Sequence, residues 1–254
     1  YPDSPNTVEW RKRTGRSVDA SVVWVADGLF RSEEEIDNSA WYGTRPNVGD
    51  IKYRDLNGDG KIDEDDRTRV GRGNRPELTY GLNLNCAWNG FDLSAQFTGG
   101  ALFDVSLTGT YYNGYDDNTV WTQAFKEGAN SPLYLVQNAY TVENPNGTFP
   151  RLTLGNQGHG GDNGLASTFW LRNGRYLRLK SAQLGYTFPK KWMSKCGVEN
   201  LRVYCNIQNL LTITGYDGYD PEIGVSTMSP NVYGVDFGRY PSPTTYSFGL
   251  NLSF

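Results

Sequence analysis

The sequence predicts an all-β protein of the antiparallel, transmembrane β-barrel class, with long extracellular loops. Three observations support this prediction. The last residues alternate strictly between apolar and polar side chains, an Asn-Gly pair joins two further alternating runs, and the connections between predicted strands are short and long in turn. Each of these features is typical of a sheet with one face against lipid.

The stretch Thr244–Phe254 predicts the closing strand of the barrel. About ten residues is the length that a tilted strand needs to cross the hydrocarbon layer, and aromatic side chains suit the membrane boundary. A strand of a soluble β-sandwich is the alternative interpretation of this stretch taken alone. One face would carry only apolar side chains: Tyr246, Phe248, Leu250, Leu252 and Phe254.

A β-hairpin is predicted around Asn89-Gly90. Apolar residues occupy every second position from Tyr80 to Trp88 and again from Phe91 to Phe97. Asn-Gly between two such runs favours a type I′ turn, because both turn residues need positive φ. Trp88 and Phe91 flank the turn on the apolar face, as the aromatic girdle of a membrane barrel would require.

The other elements are predicted from similar patterns. Ser17–Phe30 is a predicted strand that ends in an Asp-Gly turn, and Arg31–Trp41 holds an acidic helical turn. Arg175–Phe188 is a predicted strand whose apolar parity changes near Ser181, which indicates a bulge. Leu201–Gln208 alternates regularly and is a further strand.

The connections differ in length in a regular way. Residues 89–90 and 189–200 are short connections, whereas 100–168 and 212–243 are long. Outer-membrane barrels have short periplasmic turns and long extracellular loops. If Phe254 ends on the periplasmic side, both long loops and the acidic loop described below are extracellular.

Composition excludes several classes of function. The mean hydropathy is -0.59, and no run of apolar residues approaches the length of a membrane-spanning helix. A net charge of -4 gives no support for nucleic-acid binding. His159 is the only histidine and no spacing singles out a pair of carboxylates, so we expect no enzymatic activity.

The three cysteines do not have the spacing of a metal site. Cys86 and Cys205 fall at apolar positions of predicted strands, which favours a role as small apolar side chains. The pattern does not indicate the thiol state of these residues or of Cys196.

An acidic loop at residues 55–66 has the spacing of a calcium-binding loop. Gly60 occupies its sixth position, where a sharp turn is needed, and Ile62 its eighth. Position twelve is Asp rather than Glu, which predicts weaker Ca²⁺ binding and some competition by Mg²⁺. A solvated turn without any cation is the alternative. The candidate ligands are Asp55, Asn57, Asp59, Lys61 through its carbonyl, Asp63 and Asp66.

Several motifs resemble one known family when they are taken together. They cover nearly the whole chain and are specific in combination. The motifs are V-A-D-G-L-F at 25–30, E-E-E-I-D-N-S at 33–39, G-D-I-K-Y-R-D-L-N-G-D-G-K-I-D at 49–63, Y-G-L-N-L at 80–84, G-F-D-L-S at 90–94, L-R-N-G-R-Y-L-R-L-K at 171–180, L-G-Y-T-F-P at 184–189, L-R-V-Y at 201–204, N-I-Q-N-L at 206–210 and G-Y-D-P-E at 218–222. The combination resembles the C-terminal part of SusC/RagA-type TonB-linked outer-membrane proteins of Bacteroidetes.

The resemblance implies that residues 1–254 form the C-terminal part of a large barrel in the bacterial outer membrane. The chain begins Y-P-D-S-P, without an initiator Met or a signal peptide, which agrees with a piece of a longer protein. The family's plug and its N-terminal domains would precede it. Such proteins import oligosaccharides or peptides beneath a SusD-like surface lipoprotein, and the TonB-ExbB-ExbD complex drives them.

In this interpretation, polar residues of the strands would line the lumen or merely hydrate its wall. The candidates are Asn83, Asn85, Asp92, Ser94, Gln96, Arg202, Asn206 and Gln208.

Aromatic residues of the long loop, Tyr111, Tyr112, Tyr115 and Trp121, would pack the loop or stack on sugar rings, and we favour packing. The substrate-binding residues remain unknown. The alternative function is that of a soluble, secreted β-domain that binds carbohydrate and carries a dockerin-like calcium loop.

Overall fold

The computed structural model describes residues 3–4, 7–17, 19–107, 133–152, 163–222, 236 and 240–254. In chain order the strands and helices are β1 (Ser21–Val23), β2 (Ala26–Leu29), α1 (Glu33–Asp37), β3 (Ile51–Tyr53), β4 (Thr68–Val70), β5 (Leu78–Trp88), β6 (Phe91–Ala101), β7 (Asp104–Ser106), α2 (Leu133–Asn138), β8 (Leu171–Asn173), β9 (Tyr176–Thr187), α3 (Lys190–Met193), β10 (Asn200–Thr214) and β11 (Thr245–Ser253). Single 3-10 turns occupy Glu9–Arg11, Glu64–Asp66 and Ser194–Cys196.

The chain divides into two compact units. The first, the loop unit, comprises Tyr1–Arg75, Asp104–Arg172 and Ile223–Gly238. The second, the sheet unit, comprises Pro76–Phe103, Asn173–Glu222 and Arg239–Phe254. The sequence patterns did not predict that the N-terminal residues and the first long connection share a core.

The loop unit contains short two-stranded pairings, β1 with β4 and β2 with β3. Its core includes Phe30, Ile36, Leu135 and Trp170, each at most 1% exposed. The predicted acidic turn is confirmed as α1, where the Ser32 hydroxyl accepts a hydrogen bond from the Glu35 N–H at 3.1 Å. Such a side-chain cap satisfies a backbone donor that the first helical turn leaves free.

The prediction of one continuous strand over Ser17–Phe30 is wrong. The structure has two short strands there, and they pair with different partners. The chain changes partner at Trp24, whose backbone N–H donates to the Ala166 carbonyl at 3.0 Å. The predicted Asp-Gly turn is also wrong, because Gly28 lies inside β2, with φ of 99° at a register shift.

A buried polar cluster connects distant parts of the loop unit. The Asp50 carboxylate is fully buried and accepts hydrogen bonds from Arg151 Nε at 2.7 Å and from Asn163 Nδ2 at 2.8 Å. Asn163 Oδ1 in turn accepts the Ile51 N–H at 2.6 Å. Because a buried charge is tolerated only when it is paired and hydrogen-bonded, this cluster fixes how the three segments meet.

The sheet unit is built on one five-stranded antiparallel sheet in the order β11-β10-β9-β6-β5. The predicted hairpin is confirmed, with φ of 47° at Asn89 and 86° at Gly90, as a type I′ turn needs. The strand predicted at Thr244–Phe254 is confirmed as β11, whereas its predicted role in closing a barrel stays a prediction. The strands have 9 to 15 residues, which is enough to cross a bilayer.

The predicted bulge near Ser181 is confirmed. Lys180 is an extra residue between Ser181, which pairs with Gln96, and Leu179, which pairs with Phe97. The β9–β10 register shifts at the same level, between Gln208 and Leu211.

Among the described residues, no helix has both the length and the apolar character that crossing a membrane requires.

Candidate functional site

One face of the five-stranded sheet, here called the apolar face, is apolar across all its strands. The register aligns Leu93 of β6 with Cys86 of β5 and with Leu184 of β9, and Leu184 with Cys205 of β10. Both cysteines lie on this face, as their parity predicted, and both are free thiols. Large side chains of the face are exposed in this chain: Leu82, Leu84, Leu93, Leu184, Leu211, Ile213, Phe248 and Leu250. A continuous apolar surface of this kind indicates a site that another apolar medium covers.

Aromatic side chains concentrate at the end of the sheet where the Asn-Gly turn lies. The Phe91 and Tyr186 ring centroids are 4.5 Å apart, and those of Tyr186 and Phe188 are 5.0 Å apart. Trp88 is 74% exposed beside them, and Trp192 of α3 follows β9 at this end. This group, here called the aromatic border, has the composition expected where a sheet passes through a membrane boundary.

The opposite face is polar, and all the sequence-predicted lumen candidates lie on it. Asn83 pairs with Gln96 and Asn85 with Ser94 across β5 and β6. The remaining candidates are Asp92 on β6 and Arg202, Asn206 and Gln208 on β10. Ser181 Oγ on β9 donates to Asn206 Oδ1 on β10 at 2.9 Å, so some polar groups of this face are hydrogen-bonded to one another within the sheet.

An ion pair crosses the polar face between β10 and β6. Arg202 donates from Nε to Asp92 Oδ1 at 2.9 Å and from Nη2 to Asp92 Oδ2 at 2.6 Å. The pair passes over Gly185 of the intervening β9, where an added Cβ would lie 2.5 Å from both groups. A larger residue at this position would therefore force the Asp92 and Arg202 side chains to shift.

A tyrosine covers a second glycine on the same face. Tyr204 pairs with Gly249 of β11, and a Cβ on Gly249 would lie 2.4 Å from the Tyr204 ring. The Arg202 guanidinium lies 5.0 Å from the Tyr204 ring centroid, within range of a cation–π interaction. The ring therefore continues the ordered polar surface from Arg202 onto β11.

A charged cluster lies at the other end of the polar face, beyond the bulges. Arg178 is 4% exposed and donates to Thr212 Oγ1 at 2.8 Å, to Glu222 Oε2 at 2.7 Å and to Asp220 Oδ1 at 2.5 Å. Lys180 Nζ donates to the same Glu222 oxygen at 2.5 Å. The cluster holds the segment after β10 against the sheet.

Asp220 also fastens the chain that leads into β11. Its Oδ2 accepts the Ser242 N–H at 3.0 Å. Burial alone would raise the pKa of Asp220, but hydrogen bonds from Arg178 and from the backbone N–H groups of Ser242 and Glu222 outweigh it, and the pKa lies below its ordinary value. The carboxylate is therefore held in its charged form.

Sequence reasoning missed this cluster. Arg178, Asp220 and Glu222 appeared only within family motifs, and no spacing rule joins residues 42 and 44 positions apart. The available signal was an arginine within the predicted strand Arg175–Phe188 together with the two acidic residues of G-Y-D-P-E, which follow the next strand along the chain.

The acidic loop closes on its own backbone. Asp55 accepts the N–H groups of Gly58 at 2.6 Å and Gly60 at 2.8 Å. Burial acts to raise the pKa of Asp55, but the backbone hydrogen bonds from Gly60, Gly58 and their neighbours outweigh it and lower the pKa. Asp59 Oδ1 accepts the Lys61 N–H at 2.9 Å, and Asn57 Nδ2 donates to Asp59 Oδ2 at 3.1 Å.

The acidic residue at the twelfth position of the loop is buried. Asp66 is fully buried and accepts the Leu56 N–H and the Asp63 N–H, each at 2.8 Å. Ile62, at the eighth position of the loop, is buried, with 3% of its surface exposed. Trp24 Nε1 donates to the Asp63 carbonyl and Trp10 Nε1 to the Asp65 carbonyl, each at 2.9 Å.

The structure does not gather the predicted ligands around one point. In the described part of the chain, no group of three or more His, Cys, Asp or Glu side chains has the arrangement of a metal site. Instead, the carboxylates of Asp55, Asp59, Asp63 and Asp66 accept hydrogen bonds from backbone N–H groups of the loop. Ca²⁺ binding by this loop stays a prediction.

The loop aromatics Tyr111, Tyr112, Tyr115 and Trp121 lie outside the described residues. His159 lies outside them as well.

Comparison with known proteins shows that the chain is similar to TonB-dependent receptors. No protein-family model matches it. The chain is 27% identical over 249 residues to TonB-dependent receptor P3 of Formosa agariphila. This alignment covers 95% of the chain and 23% of that protein. The chain is also 28% identical over 204 residues to TonB-dependent receptor SusC of Bacteroides thetaiotaomicron, covering 80% of the chain and 17% of SusC. The chain therefore spans less than a quarter of the length of these curated relatives.

A solved structure has the same fold. The RagAB peptide transporter aligns over 100% of this chain and 24% of its own matched chain, with a TM-score of 0.61 and 23% identity. The predicted fold class, an antiparallel all-β fold of the transmembrane-barrel type, is confirmed. The resemblance inferred from the sequence motifs is also confirmed: over most of its length, this chain is similar in sequence to TonB-dependent receptors, SusC among them, and it shares its fold with the RagAB peptide transporter.

Proposed function

We propose that the five-stranded sheet is part of the wall of an outer-membrane barrel that imports nutrients in a TonB-dependent way. The observation that carries the proposal is the contrast between the faces of one sheet. The apolar face is continuous over five strands and exposed, whereas the opposite face is polar and carries a bidentate ion pair. Lipid on one side and a water-filled passage on the other account for both.

The two outer strands of the sheet support the same proposal. In the described part of the chain, β5 and β11 each pair with a single neighbouring strand. Free backbone N–H and C=O groups are not viable in hydrocarbon, so both edges need further strands. The remaining barrel strands of the full-length protein, around its plug, would supply these partners.

The polar face would form part of the passage wall. Asp92, Arg202 and Tyr204 form an ordered surface whose charges are already paired, which suits a wall that a solute passes rather than a site that retains it. No catalytic role is proposed for these residues.

The expected partners and cargo are part of the proposal. They are a SusD-like surface lipoprotein, the TonB-ExbB-ExbD complex and an oligosaccharide or peptide substrate. The relationship to SusC and the fold shared with the RagAB peptide transporter support them.

The orientation of the sheet can be tested with adjacent residues on opposite faces. In the full-length protein with Cys86, Cys196 and Cys205 replaced by alanine, Leu93→Cys and Ser94→Cys would each carry an environment-sensitive fluorophore. After reconstitution in vesicles, the probe at position 93 should emit at shorter wavelength and be quenched by nitroxide lipids. The probe at position 94 should be quenched by aqueous iodide instead.

The opposite result would reject the proposal. If iodide quenches both probes equally, and if the protein purifies without detergent, the sheet does not contact lipid. The secreted carbohydrate-binding domain would then account better for the sequence.

A further inference from the structure

A groove runs along β10 on the apolar face of the sheet. Its floor is formed by Val203 and Cys205, and its volume is about 680 Å³. Its walls are formed by side chains of the neighbouring strands: Leu184 and Tyr186 on β9, and Phe248 and Leu250 on β11. In one cross-strand row Val203 lies between Tyr186 and Leu250, and in the next row Cys205 lies between Leu184 and Phe248. The smaller side chain is on β10 in both rows, so the groove runs along this strand.

The connection that leads into β10 is basic. Lys190, Lys191 and Lys195 are all exposed in α3 and the 3-10 turn that follows it. The acidic residue of this connection is Glu199, which is exposed as well. The connection therefore carries a net positive charge.

Backbone hydrogen bonds place this connection at the end of the groove. The Phe188 N–H donates to the Leu201 carbonyl at 2.9 Å, and the Glu199 N–H donates to the Ser253 carbonyl at 2.8 Å. Leu201 is two residues before Val203, which is about 7 Å along a strand. The basic connection and the apolar groove are therefore neighbours along β10.

Trp192 lies among the lysines and is 58% exposed. Tryptophan is enriched where a membrane protein meets the headgroup region. Other members of the aromatic border, Phe91, Tyr186 and Phe188, indicate the same depth.

We propose that this end of the sheet binds one anionic phospholipid, with an acyl chain in the β10 groove and the headgroup on Lys190, Lys191 and Lys195. The inference rests on the proposed membrane location of the sheet. Charge complementarity selects the headgroup, because each lysine near an anionic lipid surface adds attraction. The groove adds apolar contact that a free phosphate ion cannot make.

Native mass spectrometry of the full-length protein in mild detergent would test the proposal. Phosphatidylglycerol and phosphatidylcholine with identical acyl chains would be added at equal concentration. We expect the wild type to retain phosphatidylglycerol at least about fivefold better, and the Lys190→Gln/Lys191→Gln/Lys195→Gln variant to lose this preference.

Two further variants separate the headgroup from the acyl chain. Cys205→Phe fills the groove with an apolar side chain, and it should weaken the binding of both lipids without changing their ratio. Lys61→Gln/Arg175→Gln removes exposed positive charge elsewhere, and it should leave the preference unchanged.

Equal retention of both lipids by the wild type, or an unchanged preference in the triple lysine variant, would overturn the proposal. The fluorescent probes at positions 93 and 94 test separately whether the sheet lies in the membrane, so rejection of the phospholipid site can be distinguished from rejection of the membrane location. A lipid-exposed probe at 93 without anionic preference rejects only the phospholipid site.

Discussion

Arginine substitutions along β5 would measure how deep each position lies in the membrane. Leu84 is on the apolar face near the middle of the strand, and Leu78 is at its beginning on the same face. At about 3.3 Å per residue and a tilt of about 45°, the two are separated by about 14 Å along the membrane normal. By the same arithmetic Trp88, in the aromatic border, lies about 9 Å from Leu84 in the other direction, so in an apolar band about 25 Å tall Leu84 is close to the middle and Leu78 close to the far boundary.

The expected cost follows from this depth. Leu84→Arg should destabilise the folded barrel by about 2–4 kcal/mol, which lowers the ratio of folded to unfolded protein about 30- to 700-fold. Leu78→Arg should cost about 0–1 kcal/mol. Asn83→Arg serves as the matched control, because Asn83 is adjacent to Leu84 but on the polar face.

The assay is the folded fraction of full-length protein after refolding into vesicles, measured by its heat-dependent gel mobility and its denaturant midpoint. The predicted order of loss is Leu84→Arg, then Leu78→Arg, then Asn83→Arg. Equal losses for Leu84→Arg and Asn83→Arg would refute the reasoning, since they would show that the faces of β5 do not differ in environment.

Three further predictions concern the polar face and the loops. Gly185→Ala places a methyl group 2.5 Å from the ends of the Arg202 and Asp92 side chains, so the ion pair must shift; the thermal midpoint should fall, but by no more than in Arg202→Gln, and a larger fall would contradict the assignment of the clash to this pair. Asp220 has a depressed pKa in the folded state, so its stabilising contribution is present above the ordinary carboxyl pKa and is lost as the pH falls through the folded value. The protection of residues 215–222 against hydrogen exchange, relative to the intrinsic exchange rate at each pH, should therefore fall on acidification, whereas Asp220→Asn should show low protection at every pH; equal protection in both proteins would argue against this role of Asp220. If the acidic loop binds a cation, Tb³⁺ bound there should luminesce on excitation of the nearby Trp24, and this signal should fall on addition of Ca²⁺ and in Asp59→Ala. The absence of a signal at millimolar Tb³⁺ would show that the loop is a backbone-capped turn without a cation.

Local patterns predicted the sheet well. The Asn-Gly turn and the flanking alternation located the β5–β6 hairpin, and alternation alone located β11. Because the side-chain period of a strand is fixed, parity also predicted which residues share a face. The change of parity at Ser181 predicted the bulge for the same reason.

Features that depend on distant partners could not be predicted in this way. Trp24 ends β1 because its backbone bonds with residues 166–168, and nothing near Trp24 in the sequence marks that partner. The Asp50–Arg151 pair joins residues 101 positions apart. Asp66 fits a calcium-ligand spacing, yet its two oxygens cap Leu56 and Asp63, since an Asp/Asn/Gly loop can satisfy its backbone with the same side chains.

The Lys180 bulge bears on how this chain tolerates insertions and deletions. Loss of one residue from a strand normally exchanges the two faces for every residue beyond it. Here Ser181 and Leu179 pair with the consecutive residues Gln96 and Phe97, so excision of Lys180 would leave the alternation on both sides intact. Lys180, which the pairing of β9 with β6 does not require, is also the residue that contacts Glu222. The bulge therefore adds a charged side chain to β9 without changing which of its other residues share a face.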